Sequence, residues 1–238
     1  RTMSTIHTDI ISKIVAIKNN VDFNSISLEI FTYQFNNNLV YRNFCTLIHK
    51  DPSTIQHYTQ IPFLPIDLFK TQQIITGQFD AELTFESSGT TRQNTSKHFV
   101  RYAEIYNQSL LHGYNYFYGD ASQYSYLALL PSYKPTSSLI YMVHHLMQQS
   151  KAPFNQFFDT PSQLHEQLLI NKREQIPTIL FGVSFGLLNY TELFNNDFTE
   201  LIIIETGGMK GQRKEITRNE LHQQLSKGFG TKNIHSEY

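Results

Sequence analysis

The sequence predicts an α/β fold: a largely parallel sheet with helices on both faces, preceded by a helical N-terminal segment. Three observations predict it. Apolar residues of the first third recur at helical spacing. From residue 72 onward, short runs alternate with amphipathic stretches of helical length, the texture of strand–helix–strand units. The short runs are mainly β-branched or apolar, which suits strands covered on both faces. With 238 residues the chain has room for one large domain or two small ones, and the change of texture divides it into 1–71 and 72–238.

In the first part, Ile10, Ile11, Ile14, Val15 and Ile17 follow Thr8-Asp9 at helix spacing. Leu28, Ile30, Phe31 and Tyr33 continue the pattern after Ser25 or Ser27, and a third short helix holds Tyr41, Phe44, Cys45 and Leu47. Pro52, Pro62 and Pro65 then break regular structure, which makes 61–66 an extended crossing. In the second part the predicted strands are 73–76, 83–86, 126–130, 154–158, 178–181 and 201–205. The predicted helices are 99–117, 137–149, 161–173, 185–194 and 218–227. Two helix starts are signed by capping sequences, Thr160-Pro161-Ser162-Gln163 and Thr217-Arg218-Asn219-Glu220. Gly228 is the expected left-handed close of the last helix.

Composition narrows the function. Nineteen basic against 20 acidic side chains give a net charge of −1, which lacks the electrostatic footprint of a nucleic-acid or membrane-surface binder. The single cysteine, Cys45, excludes an intrachain disulfide framework and a cysteine-rich zinc site, and reads as a half-buried helix residue. The polar N-terminus has no signal-peptide core, and no apolar run approaches the roughly 20 residues of a membrane span, so a cytoplasmic location is the expectation. His144-His145 are helix neighbours pointing about 100° apart, a geometry unsuited to a shared metal.

Three segments carry candidate chemistry. Glu86-Ser-Ser-Gly-Thr-Thr-Arg-Gln-Asn-Thr-Ser-Lys-His98 gathers hydroxyls around a glycine and follows them with cations. That combination can cradle phosphate or simply turn the chain. Gly182-Val-Ser-Phe-Gly186 has the spacing of a nucleophile elbow between a strand and a helix. A serine hydrolase built on Ser184 would draw on Asp197 and His235; the alternative is that the two glycines let strand and helix pack closely. Glu205-Thr-Gly-Gly-Met-Lys-Gly211 stands at a strand's carboxyl end, where open α/β sheets bind ligands.

In this order the segments resemble the adenylate-forming superfamily of acyl- and aryl-CoA ligases, and within it the acyl-protein synthetase branch of the luminescence fatty acid reductase system. Ser87-Ser88-Gly89-Thr90-Thr91 looks like the family's phosphate loop, with Arg92 in place of the glycine that usually follows and Lys97 in the role of its lysine. Thr206-Gly207-Gly208-Met209 resembles the pair of glycines along adenine, and Asn233-Ile-His-Ser-Glu-Tyr238 the strand leading into the tyrosine that packs on adenine. Segments 61–70 and 180–184 also fit the branch, which makes Gly182, Val183 and Ser184 acyl-pocket wall instead of a nucleophile elbow. The resemblance implies ATP and Mg2+ as cofactors and a fatty or other carboxylic acid as substrate. A protein cysteine or CoA would be the thiol acceptor. It also implies that the magnesium glutamate and the catalytic lysine lie beyond Tyr238, so that this stretch alone is an inactive N-terminal part. A non-catalytic acyl-binding module of the same fold is the remaining alternative.

Overall fold

The structure is a computed structural model that describes residues 5–87, 95–130, 136–207, 209 and 211–237. The chain divides into two compact units, Arg1–Tyr106 and Asn107–Tyr238.

The first unit begins with α1 (Thr5–Val15), α2 (Asn20–Asn37) and α3 (Leu39–Leu47). α2 starts earlier than the apolar pattern predicts, because the Asn19 side chain accepts from the amides of Val21 and Asp22 and caps its first turn. Asn38 closes α2 with its own amide and caps α3 with its side chain, so two helices share one corner residue. Phe31, Tyr41, Cys45 and Ile55 form the core of this part, and the Tyr41 hydroxyl donates to the Pro62 carbonyl at 2.7 Å. Cys45 is fully buried, deeper than the half-buried position expected, and that burial pushes its thiol above the ordinary value. After the one-turn α4 (Leu68–Thr71), residues 73–76 are not the predicted strand. Among the described residues they have no partner strand. The segment is held instead at the α2–α3 corner, where Asn38 donates to the Thr76 hydroxyl (3.3 Å) and Gly77 to the Asn37 carbonyl (2.8 Å). β1 (Leu83–Glu86) forms an antiparallel ladder with β2 (Lys97–Val100), a strand where the sequence pattern predicts the onset of a helix.

The chain continues through α5 (Ala103–Tyr118) into a regular α/β order. It runs β3 (Ser125–Leu129), α6 (Ser138–Gln149), β4 (Gln156–Phe157), α7 (Pro161–Arg173), β5 (Thr178–Val183), α8 (Ser184–Leu193), β6 (Ile202–Thr206), α9 (Arg218–Phe229) and β7 (Ile234–Glu237). The five strands are all parallel, in the order β4-β3-β5-β6-β7. Side chains alternate across them as strand geometry requires. Leu127, Leu129, Leu180 and Ile203 face Leu164, Leu168, Leu187, Tyr190, Leu221 and Leu225 of α7, α8 and α9. Tyr126, Ala128, Ile179, Phe181 and Ile204 face Val143 and Leu146 of α6 and Tyr114 of α5. The predicted architecture, a parallel sheet with helices on both faces, is therefore observed.

The predicted capping signals operate. Thr160 caps α7 with Pro161 at its first position, and Thr217 and Glu220 form a reciprocal capping box on α9. α9 ends at Gly230 (φ 70°), two residues after the predicted Gly228. Phe229 is buried in the core, which holds the extra turn in helical form. Gly228 has a packing role: a Cβ there would stand 2.4 Å from Thr191, so its absence sets how closely α9 crosses α8.

Candidate functional site

The carboxyl ends of β5, β6 and β7 bring three separated segments together. The strand register sets Gly182 beside Glu205 and Glu205 beside Ser236 on the face that α8 and α9 cover. Gly182 leaves that row short, and Leu187 fills the space: a Cβ on Gly182 would lie 2.5–2.6 Å from Leu187 Cδ2 and Cγ. The glycines of Gly182-Val-Ser-Phe-Gly186 are thus packing residues. They draw α8 back onto the end of its own strand, with Val183 Cγ2 3.1 Å from where a Gly186 Cβ would be.

Ser184 opens α8 and is completely buried. Its Oγ lies 2.8 Å from Glu205 Oε2, 2.8 Å from the Gly207 carbonyl and 3.3 Å from the Thr206 carbonyl. Glu205, 4% exposed, accepts at its other oxygen from Ser236 (2.5 Å) and lies 3.3 Å from His222 Nε2 of α9, which also meets Ser236 at 3.1 Å. On the neighbouring residues, the Thr206 hydroxyl donates to Glu237 at 2.9 Å. The result is a row of polar side chains from α8 through β6 and β7 to α9, buried at Ser184 and Glu205 and partly exposed at Ser236 and His222, each with a hydrogen-bond partner.

This geometry does not assemble a serine hydrolase. The partners of Ser184 Oγ are a carboxylate and two carbonyls, with no histidine among them. The residues expected to complete a triad are engaged elsewhere, Asp197 with Lys172 and His235 with the Tyr118 hydroxyl at 3.0 Å. Ser184 is sealed from solvent and passes its proton to no imidazole, so the triad geometry is not formed.

Beyond Ser184 the chain turns at Gly207 in the left-handed region (φ 71°), which only glycine adopts without strain. Met209 drops back into the main core at 2% exposure and so anchors the turn by its side chain. The Gln212 amide donates to the Met209 carbonyl at 2.8 Å. Arg213 then grips Glu192 through both Nη atoms (2.7 Å each) and bonds Asn189 (2.9 Å). That pairing holds the Glu192 carboxyl below its ordinary range. Gly208 and Tyr238, the other residues expected along adenine, lie outside the described residues.

The expected phosphate loop connects β1 and β2. Its mouth is fixed by Ser87 and Ser96: the Ser87 amide donates to the Ser96 carbonyl (3.0 Å), and the Ser96 amide to Ser87 Oγ (3.1 Å). Lys97 stands opposite Glu86 in the ladder with its ammonium 3.7 Å from the carboxylate, half-exposed. Ser88, Gly89, Thr90 and Thr91 lie outside the described residues. Among the described residues no group of three or more His, Cys, Asp or Glu is placed for a metal ion, and no helix is long and apolar enough to cross a membrane.

A cavity of about 770 Å³ opens at the opposite, amino end of the same sheet, lined by Tyr118, Leu168, Lys172, Phe198, Ile202 and His235 among others. Size alone favours it as a site, but physical chemistry favours the carboxyl end. There α8 begins without a side-chain cap on its first amides, and Gly207 adds a backbone turn without a side chain.

No protein-family model matches the sequence, and no curated protein matches it. Solved structures do. An open conformation of 2-hydroxyisobutyryl-CoA ligase, in complex with 2-HIB-AMP and CoA, superposes with a TM-score of 0.63 at 8% identity, over 91% of this chain and 49% of that one. The same ligase in its postadenylation state, in complex with 2-HIB-AMP, gives 0.62 at 10% identity, over 99% of this chain and 49% of the ligase. The chain therefore shares the fold of the corresponding half of that CoA ligase and spans about half its length.

Proposed function

We propose that this chain supplies the nucleotide- and acid-binding half of an ATP-dependent carboxylate-activating enzyme, with a fatty acid as the substrate class and a protein cysteine or CoA as thiol acceptor. One observation carries the reading. The three sequence segments that resemble the ligase family's site, 182–184, 205–209 and 233–237, converge on one turn at the carboxyl edge of a ligase-like sheet. In this reading the adenine lies along Gly207 and Gly208, against the backbone beside Met209, with Tyr238 on its other face. Ser87, Ser88, Gly89, Thr90 and Thr91 receive the phosphates, and Lys97 releases Glu86 to meet their charge. Of 182–184, Val183 is the residue with a partly exposed side chain at the end of β5, packed at its base against the core, and in this reading its exposed part lines the acid pocket. Mg2+ would accompany the ATP phosphates.

The chemistry is an in-line displacement. A carboxylate oxygen attacks the α-phosphorus, the bond to the β-phosphate bridge breaks, and pyrophosphate leaves with an acyl-adenylate formed. A thiolate then attacks the acyl carbon and expels AMP. Loop hydroxyls and amides contribute positioning and charge stabilisation. The test is acid-dependent exchange of labelled pyrophosphate into ATP by the whole protein. Exchange that requires a fatty acid is the expected result. No exchange with any acid of a panel spanning short, long and aryl chains overturns the proposal.

A further inference from the structure

We infer that Ser184 is a positioning residue for the adenine turn, and that α8 is the platform on which the whole turn is mounted. The inference rests on the carboxylate-activation reading for what the turn binds, while the attachment itself is a matter of geometry. α8 touches the segment after β6 at two places. Its first residue, Ser184, reaches the carbonyls of Thr206 and Gly207, and one to two turns later Asn189 and Glu192 hold Arg213. Met209, seated in the core between these points, fixes the middle. Gly207 is the residue with positive φ, so its carbonyl is where the direction of the turn is decided.

The hydroxyl of Ser184 has one proton and faces three acceptors, two of them at 2.8 Å. Glu205 in turn is held by Ser236 and His222. Orientation of the Gly207 carbonyl is therefore tied through Ser184 and Glu205 to β7 and α9, the elements that lead into the segment 233–238. A ligand lying on the turn would find its backbone already set, which reduces the ordering that binding otherwise requires. Burial makes the link strong: Ser184 is closed to solvent, so loss of the hydroxyl leaves the carbonyl and the carboxylate oxygen without that donor.

The experiment is amide hydrogen exchange on this chain, comparing wild type with Ser184→Ala, together with the KM for ATP and for the acid in the whole protein. In Ser184→Ala, exchange across residues 207–212 rises about tenfold while β5, β6 and α9 stay as in wild type, and the KM for ATP rises about tenfold with little change for the acid. Ser184→Thr, which keeps the hydroxyl, restores slow exchange in the turn. If the alanine chain does not fold, Ser184→Cys, a weak donor of similar volume, carries the same comparison. Unchanged exchange at 207–212, or a rise shared equally by β5, β6 and α9, overturns the inference. A wild-type protein without acid-dependent exchange overturns the proposed activity and leaves the turn's attachment to be decided by the amides.

Discussion

At the amino end of the sheet, the Asn171 side chain of α7 donates to the hydroxyls of Ser125 and Thr178 (3.0 Å each) and accepts from Gln167 at 2.8 Å. At the carboxyl end, on the same face, Ser184 and Glu205, both buried, and the partly exposed Ser236 and His222 form the other polar row. The first cluster is made of neutral amides and hydroxyls, and its bonds join a helix to strand starts: Ser125 to the Phe154 carbonyl, Thr178 to the Ile176 carbonyl at 2.8 Å. The second contains a carboxylate and an imidazole, and its bonds end on the carbonyls of a glycine turn. Both satisfy their polar atoms, so satisfaction does not separate a brace from a site. What separates them is where the bonds terminate: on regular elements at one end, on the carbonyl of a glycine turn at the other.

The comparison is broken most severely at Asn171. Asn171→Ala removes a side chain that is 1% exposed and leaves Ser125, Thr178 and Gln167 without their shared partner. A loss of about 3 kcal/mol is expected, read as a fall in the urea midpoint at constant slope. Exchange at residues 207–212 should follow the global loss only. A selective opening of that turn would show that the two clusters act as one network.

Next in size is Gly182→Ala, which keeps every polar bond of the carboxyl row and disturbs only its packing. The added Cβ meets the side chain of Leu187, which is fully buried and can move aside only by repacking the core around it. Overpacking of this kind costs about 2 kcal/mol. It should push the start of α8, and Ser184 with it, away from β6, so the turn loosens although the serine is intact. An alanine variant as stable as wild type would mean that Leu187 repacks freely.

Much of this was legible in the sequence, and the limits are instructive. α7 matches its predicted span because cap, proline and apolar period agree locally. The packing role of the glycines around Ser184 was open to the same kind of reading, since two small residues flank a strand-to-helix junction. β2 was not legible: Lys97–Val100 becomes a strand by pairing with β1, and nothing within four residues announces that partner. The partnership of Glu205 with Ser184, Ser236 and His222 was hidden for a related reason. It depends on the β5–β6–β7 register and on the side of α9 that faces the sheet, both set by tertiary packing. One signal was available. Glu205 ends the apolar run Leu201-Ile-Ile-Ile204, and a carboxylate in a strand buried on both faces requires dedicated partners.

The same helical layer holds a third polar pair, which gives the smallest and most specific prediction. His165 of α7 stacks on Phe194 (centroids 4.0 Å apart, planes 10°) and its Nδ1 meets the Tyr190 hydroxyl at 2.8 Å. Burial lowers the His165 pKa below its ordinary 6.5, with Glu166 pulling weakly the other way, and burial raises that of Tyr190. The phenol therefore keeps its proton and donates to a neutral ring. Protonation of that ring is easier in the unfolded chain, so the unfolded state binds more protons just below pH 6.5. Stability contributed by this pair is present above that pH and is lost as pH falls through the unfolded value toward the lower, folded one. His145, also lowered by burial, adds to the same slope. Urea unfolding at pH 7.5 and 5.5 should show a smaller loss on acidification in His165→Leu than in wild type. The exchange rate at 207–212, relative to the global rate, should not change between the two proteins at either pH. Equal losses on acidification would mean that the ring titrates as freely in the fold as outside it. A turn that responds to His165 would extend the carboxyl-edge network through α8, beyond the row that Ser184 and Glu205 define.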